Sequence, residues 1–319
     1  MTTLHSSRHL RPLRPEDLPE ADRIFRRAFG TFLGLPDPML FTGDAATVNS
    51  RWNAFPEGAF GVEVEASLAG SVFASRWGSF GFFGPLAVHP DHWGKGLGKV
   101  LMGSVMASFD AWGTTHAGLY TFPHSPQHLG LYGAFGFRPR FLTLVMGKNL
   151  APAAALDRPL LRYSELPEDR KAEALGACRR LADRIHGGLD LSREIESLES
   201  LGTGDTILLE DASGISGFAL CHSGPGSEAG SGQVYLKFAA VAPGDGAAGR
   251  LANLLEACEG FAHSQGQGRV VAGVNTARTR AVELLAEVGY QTFMSGIALH
   301  KPNDPGFCRE DAFVLDDWR

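Results

Sequence analysis

Three glycines at alternate positions, Gly94, Gly96 and Gly98, interleaved with Lys95 and Lys99, form the stretch best suited to chemistry in this 319-residue chain. Without Cβ atoms such a segment bends sharply and turns several backbone N–H groups toward one point. The apolar pattern that follows, with Leu97, Val100, Leu101 and Met102, starts a helix. The point therefore lies at a helix N-terminus, where unpaired N–H groups and the macrodipole favour an anion, above all a phosphate. The two lysines add positive charge. Proton acceptors in reach of this region in sequence are His89, His92, His124 and His128, with Glu63 and Glu65 alternating on an earlier strand.

The elements that must position this turn follow from periodicity. Residues 10–17 read as an edge strand ending in a turn, and residues 21–32 place Ile24, Phe25, Ala28, Phe29 and Phe32 at helical spacing. Residues 47–55 form a second helical piece. Residues 60–68 and 71–77 alternate apolar and polar, and Ala69-Gly70 between them predicts a hairpin turn. Residues 84–88 make the strand that feeds the glycine turn, whose helix runs to about residue 112. A strand over 117–122, a short helix over 127–135 stopped by Gly136, and a final strand over 141–146 complete the unit.

After an Ala/Pro-rich linker at residues 149–159 the chain starts again. Leu86-Ala87-Val88-His89-Pro90 is matched by Ala239-Ala240-Val241-Ala242-Pro243, with Val88 and Val241 153 positions apart. Gly136-Phe137 and Gly289-Tyr290 share that offset, as do Lys148 and Lys301. Agreement at separate landmarks predicts a duplicated α/β unit. Carried across by 153, the turn glycines fall opposite Ala247, Gly249 and Leu251, so the second copy is expected to lose the phosphate cradle. Residues 224–232, rich in Gly and Ser, read as a flexible hairpin loop.

With 44% hydrophobic and 20% charged residues, a net charge of −6 and a pI near 6.0, the chain has the composition of a soluble globular protein without a basic nucleic-acid footprint. That balance leaves cationic amines electrostatically acceptable as substrates. No apolar run is long enough to span a bilayer, and residues 1–14 lack the apolar core of a secretory signal, so a cytoplasmic location without membrane partners is expected. Cys178, Cys221, Cys258 and Cys308 lack the close spacing of a zinc site and are expected to be packed thiols, with no metal.

Leu86-Ala87-Val88-His89-Pro90, followed by Trp93-Gly94-Lys95-Gly96-Leu97-Gly98 and then by Leu131-Tyr132-Gly133-Ala134-Phe135-Gly136-Phe137, resembles the GNAT superfamily of acetyl-coenzyme A-dependent N-acetyltransferases. The resemblance implies a mixed α/β sheet splayed between its fourth and fifth strands and a tandem of two such domains. These are residues 1–148, active in appearance, and 160–301, degenerate, with residues 302–319 as a tail. It further implies that the backbone of Leu86, Ala87 and Val88 pairs with pantetheine, and that the segment Trp93, Gly94, Lys95, Gly96, Leu97, Gly98, Lys99 holds the pyrophosphate. Ser125 stands where many members have Asn near the thiol, Trp93 replaces the usual Gln or Arg, and Tyr132 takes the general-acid position. His124, at the end of the strand bordering the splay, is the candidate base.

Phe32, Phe41 and Trp52 are candidates to line the acceptor pocket, and Asp37, Glu57 and Glu63 could meet an ammonium group. Leu285 stands opposite Tyr132, which leaves the second unit as a scaffold, a wall of the cleft or a homodimer surface. The expected function is acetyl transfer from acetyl-coenzyme A to a small-molecule or peptide amine by direct attack in a ternary complex, without a metal. A non-catalytic acyl-coenzyme A sensor and an interaction scaffold are the alternatives.

Overall fold

The computed structural model describes residues 8–151 and 160–319; residues 1–7 and, within the expected linker, residues 152–159 lie outside the described residues. The first half runs through β1 (Arg8–Pro12), α1 (Leu18–Phe32), α2 (Thr47–Ala54), β2 (Ala59–Val64), β3 (Ser67–Trp77), β4 (Phe80–Val88), α3 (Leu97–Ala111), β5 (His116–Thr121), α4 (Pro126–Ala134) and β6 (Arg138–Asn149). The second half repeats that order. It comprises β7 (Leu161–Arg162), α5 (Glu168–Ile185), α6 (Ser192–Leu201), β8 (Gly204–Asp211), β9 (Gly214–Gly224), β10 (Gly230–Val241), α7 (Ala247–Ser264), β11 (Arg269–Asn275), α8 (Thr279–Glu287) and β12 (Gln291–Lys301). A last strand, β13 (Val314–Asp316), follows.

On one face of the sheet each half is held by an apolar helix stripe. In α3, Leu97, Leu101, Met102, Val105 and Phe109 are buried against Val72, Phe83, Ala117 and Leu119. In α7, Leu251, Leu254, Leu255, Cys258 and Phe261 do the same against Ala219, Leu236 and Ala272. Each large apolar side chain so buried contributes about 1.5–3 kcal/mol. All four cysteines are buried and free, with Cys221 Sγ 3.7 Å from Cys258 Sγ.

The two halves share one mixed sheet, ordered β1-β2-β3-β4-β5-β12-β6-β11-β10-β9-β8-β7, with β13 beside β10. The expected final strand of the first unit thus does not pair with β5. β12 takes that place, and β6 sits between β12 and β11. Exchanging the last strands covers the inner edge that each half would otherwise expose.

Two turns differ from the expectation. The β2–β3 hairpin turns at Glu65 and Ala66, with φ 53° and 63°, the paired left-handed conformation of a tight hairpin. Ala69 and Gly70 lie inside β3, where a Cβ on Gly70 would sit 2.8 Å from the Ala87 carbonyl oxygen. That glycine serves close strand approach rather than a turn.

The second glycine turn is also placed differently. β4 and β10 end in phase, at Val88 and Val241, but α3 begins at Leu97 and α7 at Ala247, so the turn between them is three residues shorter. The longer α7, with 18 residues against 15, restores the phase before β11. Gly244 and Gly246, with φ 101° and 77°, therefore match Gly94 and Gly96, with φ 73° and 79°. The second half keeps two left-handed glycines, and its turn geometry is not lost as expected.

Residues 224–232 form a clamp between the halves rather than a flexible loop. The Ala46 N–H donates to the Ser227 carbonyl at 2.8 Å, the Ser231 N–H donates to Asp44 Oδ1 at 2.8 Å, and Ser227 is fully buried. Within the clamp Glu228 meets Arg51 of α2, with Nε donating at 2.9 Å and Nη2 at 2.8 Å.

Candidate active site

β4 and β5 run parallel and pair only at Phe80, Gly81 and Phe82 with His116, Ala117 and Gly118. Beyond that point the strands part. Leu86, Ala87 and Val88 keep β3 on one side, through Val72, Ser71 and Gly70, and leave their other backbone edge without a strand partner. This free edge leads into the glycine turn. There the N–H groups of Gly94, Gly96, Leu97 and Gly98 make no backbone hydrogen bond among the described residues, and α3 has no side-chain cap. Open space lies where a Cβ of Gly94 would be. Such a bend, with uncompensated donors at a helix start, fits a pyrophosphate. Gly98 differs in role: its missing Cβ would be 3.3 Å from Leu131, so it lets α4 pack closely.

A cavity of about 910 Å³ runs from this turn through the splay to the second half of the chain. Leu86, Ala87, Val88, Trp93, Gly94, Gly96, Leu97, Gly98, Lys99 and Tyr132 all line it. Lys95 does not; it is exposed on the outer side of the turn. The Trp93 indole N–H donates to the Val88 carbonyl at 2.6 Å, so this residue braces strand against turn where a guanidinium would have reached for phosphate.

Tyr132 is buried and its ring lies edge-on to Phe83 at 5.7 Å. Burial raises its phenol above the ordinary range, with the Thr121 hydroxyl pulling partly back, so the proton is held at neutral pH. The other predicted residues near α4 are placed differently. Ser125 is buried as the N-cap of α4, its hydroxyl accepting from the His128 N–H at 3.3 Å, and it does not line the cavity. His124 is exposed and also off the cavity, its ring stacked beside Phe32 at 5.9 Å.

Four residues on, in the first turn of α4, His128 does line the cavity. Its ring is 4.9 Å from that of Phe32 and 6.4 Å from that of Tyr132, and its Nδ1 is buried without a partner. Burial, then the neighbouring His124, lowers its pKa, which keeps the imidazole neutral and able to accept a proton. The sequence names His128, but only the start of α4 between the two, which turns His128 inward, separates it from His124.

At the acceptor end Phe32 and Phe41 line the cavity, whereas Trp52 packs into the core beneath α1. The three carboxylates suggested by sequence are engaged elsewhere: Asp37 accepts from the Met39 N–H, Glu57 pairs with Arg193, and Glu63 pairs with Arg11. The remaining wall comes from the second half and includes Glu228, Tyr235, Arg269 and Phe293, with Trp318 and Arg319 from the last segment. No motif marks these residues, because they reach the site through the clamp and the exchanged strands.

The last segment also explains what the second half does with its own splay. β10 and β11 pair at Val234, Tyr235 and Leu236 and then part, as β4 and β5 do. Into the gap runs β13, pairing Asp316, Leu315 and Val314 with Phe238, Ala239 and Ala240 on the edge away from β9. Asp317 then packs over Gly273 of β11, where a Cβ would come within 2.2 Å of its own. The backbone edge that is free in the first half is occupied in the second. Leu285, opposite Tyr132, is fully buried and carries no proton.

An unpaired strand edge and an uncapped glycine turn thus meet at one open cleft in a splayed sheet. Residues 22–137 match the model of the acetyltransferase (GNAT) family. Solved structures extend the likeness to nearly the whole chain. A candidate acetyltransferase from Pyrococcus horikoshii superposes with a TM-score of 0.69 at 14% identity, covering 98% of this chain and 95% of that one. A GCN5-related N-acetyltransferase from Sphaerobacter thermophilus gives 0.60 at 19% identity, covering 92% and 95%. The GCN5-related glucosamine N-acetyltransferase region of a fungal multi-domain β-N-acetylglucosaminidase gives 0.63 at 13%, covering 93% of this chain and 38% of that one. At these identities the likeness is one of fold. No curated protein sequence matches the chain. Among the described residues no helix is long and apolar enough to cross a membrane, and no cluster of three or more His, Cys, Asp or Glu could hold a metal ion.

Proposed function

We propose that the chain transfers an acetyl group from acetyl-coenzyme A to a primary amine by direct attack in the first cleft. The observation that carries this reading is the continuity of the free edge at Leu86, Ala87 and Val88 with the uncapped donors at Gly94, Gly96, Leu97 and Gly98. Acetyl-coenzyme A, when bound, supplies a thioester carbonyl open to an amine. The chain's own groups do the rest. The free edge of residues 86–88 aligns the pantetheine arm and offers N–H groups to the carbonyl oxygen. His128 accepts the proton that the attacking amine gives up, and Tyr132 donates its phenolic proton to the departing sulfur. Aromatic walls exclude water from the reacting centre.

Titration calorimetry tests the reading. One coenzyme A should bind per chain, and Gly96→Val should weaken binding roughly tenfold or more, since a β-branched residue at φ 79° costs on the order of 1–3 kcal/mol. Absence of coenzyme A binding to the wild-type chain would sink the proposal.

The base is tested through pH. Because the His128 pKa is lowered from its ordinary 6.5, the acid limb of kcat/KM should fall below that pH. His128→Gln should remove this limb and slow turnover about 10²-fold. His124→Gln should leave both the limb and the rate nearly unchanged; the reverse pattern would return the role to His124.

A further inference from the structure

Beyond the splay the cavity passes between Phe29, Phe32 and Phe41 on one side and Tyr235, Val271 and Phe293 on the other. Against these apolar walls the charges are few and each can be followed. Glu228 is the one side-chain carboxylate among the lining residues of the cavity, and it is already paired with Arg51 and Lys237. Oε1 accepts from Arg51 Nε at 2.9 Å and from Lys237 Nζ at 2.8 Å, and Oε2 accepts from Arg51 Nη2 at 2.8 Å. Its charge is already compensated by two cations, which makes it a poor partner for a substrate ammonium.

The two guanidiniums of this wall are in the opposite condition. Arg319 stacks over the Tyr235 ring at 4.6 Å, and its Nε lies 2.8 Å from Asp317 Oδ2, off the hydrogen-bonding angle, as an ion pair. Asp317 is itself fixed, its Oδ1 accepting from the Tyr235 hydroxyl at 2.8 Å and from the Arg319 N–H at 3.1 Å. Arg51 holds the Arg319 carbonyl. Every anchor is on the Nε side or the backbone. Nη1 and Nη2 have no acceptor among the described residues, and the side chain is 29% exposed, toward the cavity that it lines.

Arg269, stacked over Phe293 at 4.4 Å, has no carboxylate within ion-pair distance among the described residues, and its Nε is buried without a partner. Arg319 lies beside Gly84, at the point where β4 has left β5. A Cβ there would be 3.6 Å from the Arg319 carbonyl carbon.

A planar guanidinium held from behind, with its two terminal nitrogens free in a low-dielectric cavity, is a fork for a carboxylate. We propose that the acceptor carries a carboxylate beside its amine, held by the Nη1 and Nη2 edge of Arg319, with Arg269 strengthening the positive field. The inference rests on the acetyl-transfer reading above and names the substrate class for the same site. A carboxylate fits better than a phosphate monoester, because Asp317 already neutralises part of Arg319 and would repel a second negative charge.

The test pairs each α-amino acid with its decarboxylated amine: phenylalanine with phenethylamine, leucine with isopentylamine, and O-phosphoethanolamine as the phosphate arm. Release of the coenzyme A thiol is followed for each. The amino acid of each pair should show kcat/KM at least about tenfold above its amine. Arg319→Gln should raise KM for the amino acids about tenfold with kcat little changed, should not affect the amines, and should be partly rescued by Arg319→Lys. Arg269→Gln should act in the same direction and more weakly, and it serves if the Arg319 variants fold poorly.

Calorimetry with N-acetyl-L-phenylalanine and N-acetylphenethylamine gives a readout independent of turnover. The carboxylated compound should bind wild type more tightly, and Arg319→Gln should abolish the difference. Equal use of amines and amino acids, equal loss on both in Arg319→Gln, equal binding of the two acetylated compounds, or preference for phosphoethanolamine would overturn the proposal. Loss of coenzyme A binding would instead overturn acetyl transfer, with the acetylated pair still deciding whether Arg319 holds a carboxylate.

Discussion

Tyr132→Phe should lower kcat by about 10²–10⁴-fold, the usual worth of a positioned general acid, while the affinity for coenzyme A stays within about twofold. The ring sits in the core against Phe83 and Phe137, and a phenylalanine keeps that packing. What is removed is a hydroxyl whose proton is retained at neutral pH because burial disfavours the phenolate. The departing sulfur would then have to take its proton from water that the aromatic walls keep out. Stopped-time thiol release and calorimetry on the same protein measure the two quantities separately. Unchanged kcat would remove Tyr132 from the chemistry. Binding of coenzyme A without turnover by wild type on any amine would favour a sensor.

The second large effect is on stability. Arg51, Glu194, Glu228 and Lys237 form a buried chain of ion pairs, each side chain 2–4% exposed, with Lys237 Nζ 2.8 Å from both Glu194 Oε2 and Glu228 Oε1. Glu228→Ala leaves Arg51 and Lys237 buried with less compensation and should cost about 3–5 kcal/mol. For a chain of this size that is a fall in Tm of roughly 5–8 °C. Removing Arg51 as well should cost less than the sum of the single changes, since the pair is directly coupled.

The sign with pH follows from the carboxylate. Burial alone would raise the Glu228 pKa, but Arg51 and Lys237 outweigh it and hold it well below the ordinary 4.5. Its contribution is therefore full above about pH 4.5 and is lost as pH falls through the lowered folded-state value. The gap in Tm between wild type and Glu228→Gln should narrow in that acid range. A gap that stays constant would mean that Glu228 acts through packing alone.

Sequence periodicity was sufficient for the helices, because Ile24, Phe25 and Ala28 or Leu101, Val105 and Phe109 bury one face whatever lies opposite. It was sufficient for the glycine turn as well, because left-handed backbone at Gly94 and Gly96 is a local demand. It failed where the deciding partner is distant. Nothing local to residues 141–146 says that β12 will take the place beside β5, and Glu65 and Ala66 carry no turn signature. The offset of 153 held on both sides of the glycine turn, at Val88 and Val241 and again from β5 and β11 onward, yet misaligned Gly244 and Gly246, since three residues leave the turn and return in α7. For the proposed site, the free strand edge and the glycine turn were legible because they are backbone features of one short stretch. The acceptor wall was not, because Tyr235, Arg269 and Arg319 are assembled from the other half of the chain.

The strand β13 in the second splay has a thermodynamic consequence. A dissociable ligand stabilises a protein only as far as its free concentration exceeds its dissociation constant. A segment tethered to the same chain is present at an effective concentration of the order of millimolar and cannot be diluted away. The second half is thus permanently in the liganded condition, with Val314, Leu315 and Asp316 as occupant, and its rigidity does not vary with the supply of coenzyme A. Because Trp318 and Arg319 follow directly and line the first cavity, that constancy passes to the acceptor wall. One splay is filled by the chain's own strand, and the other keeps its backbone edge free.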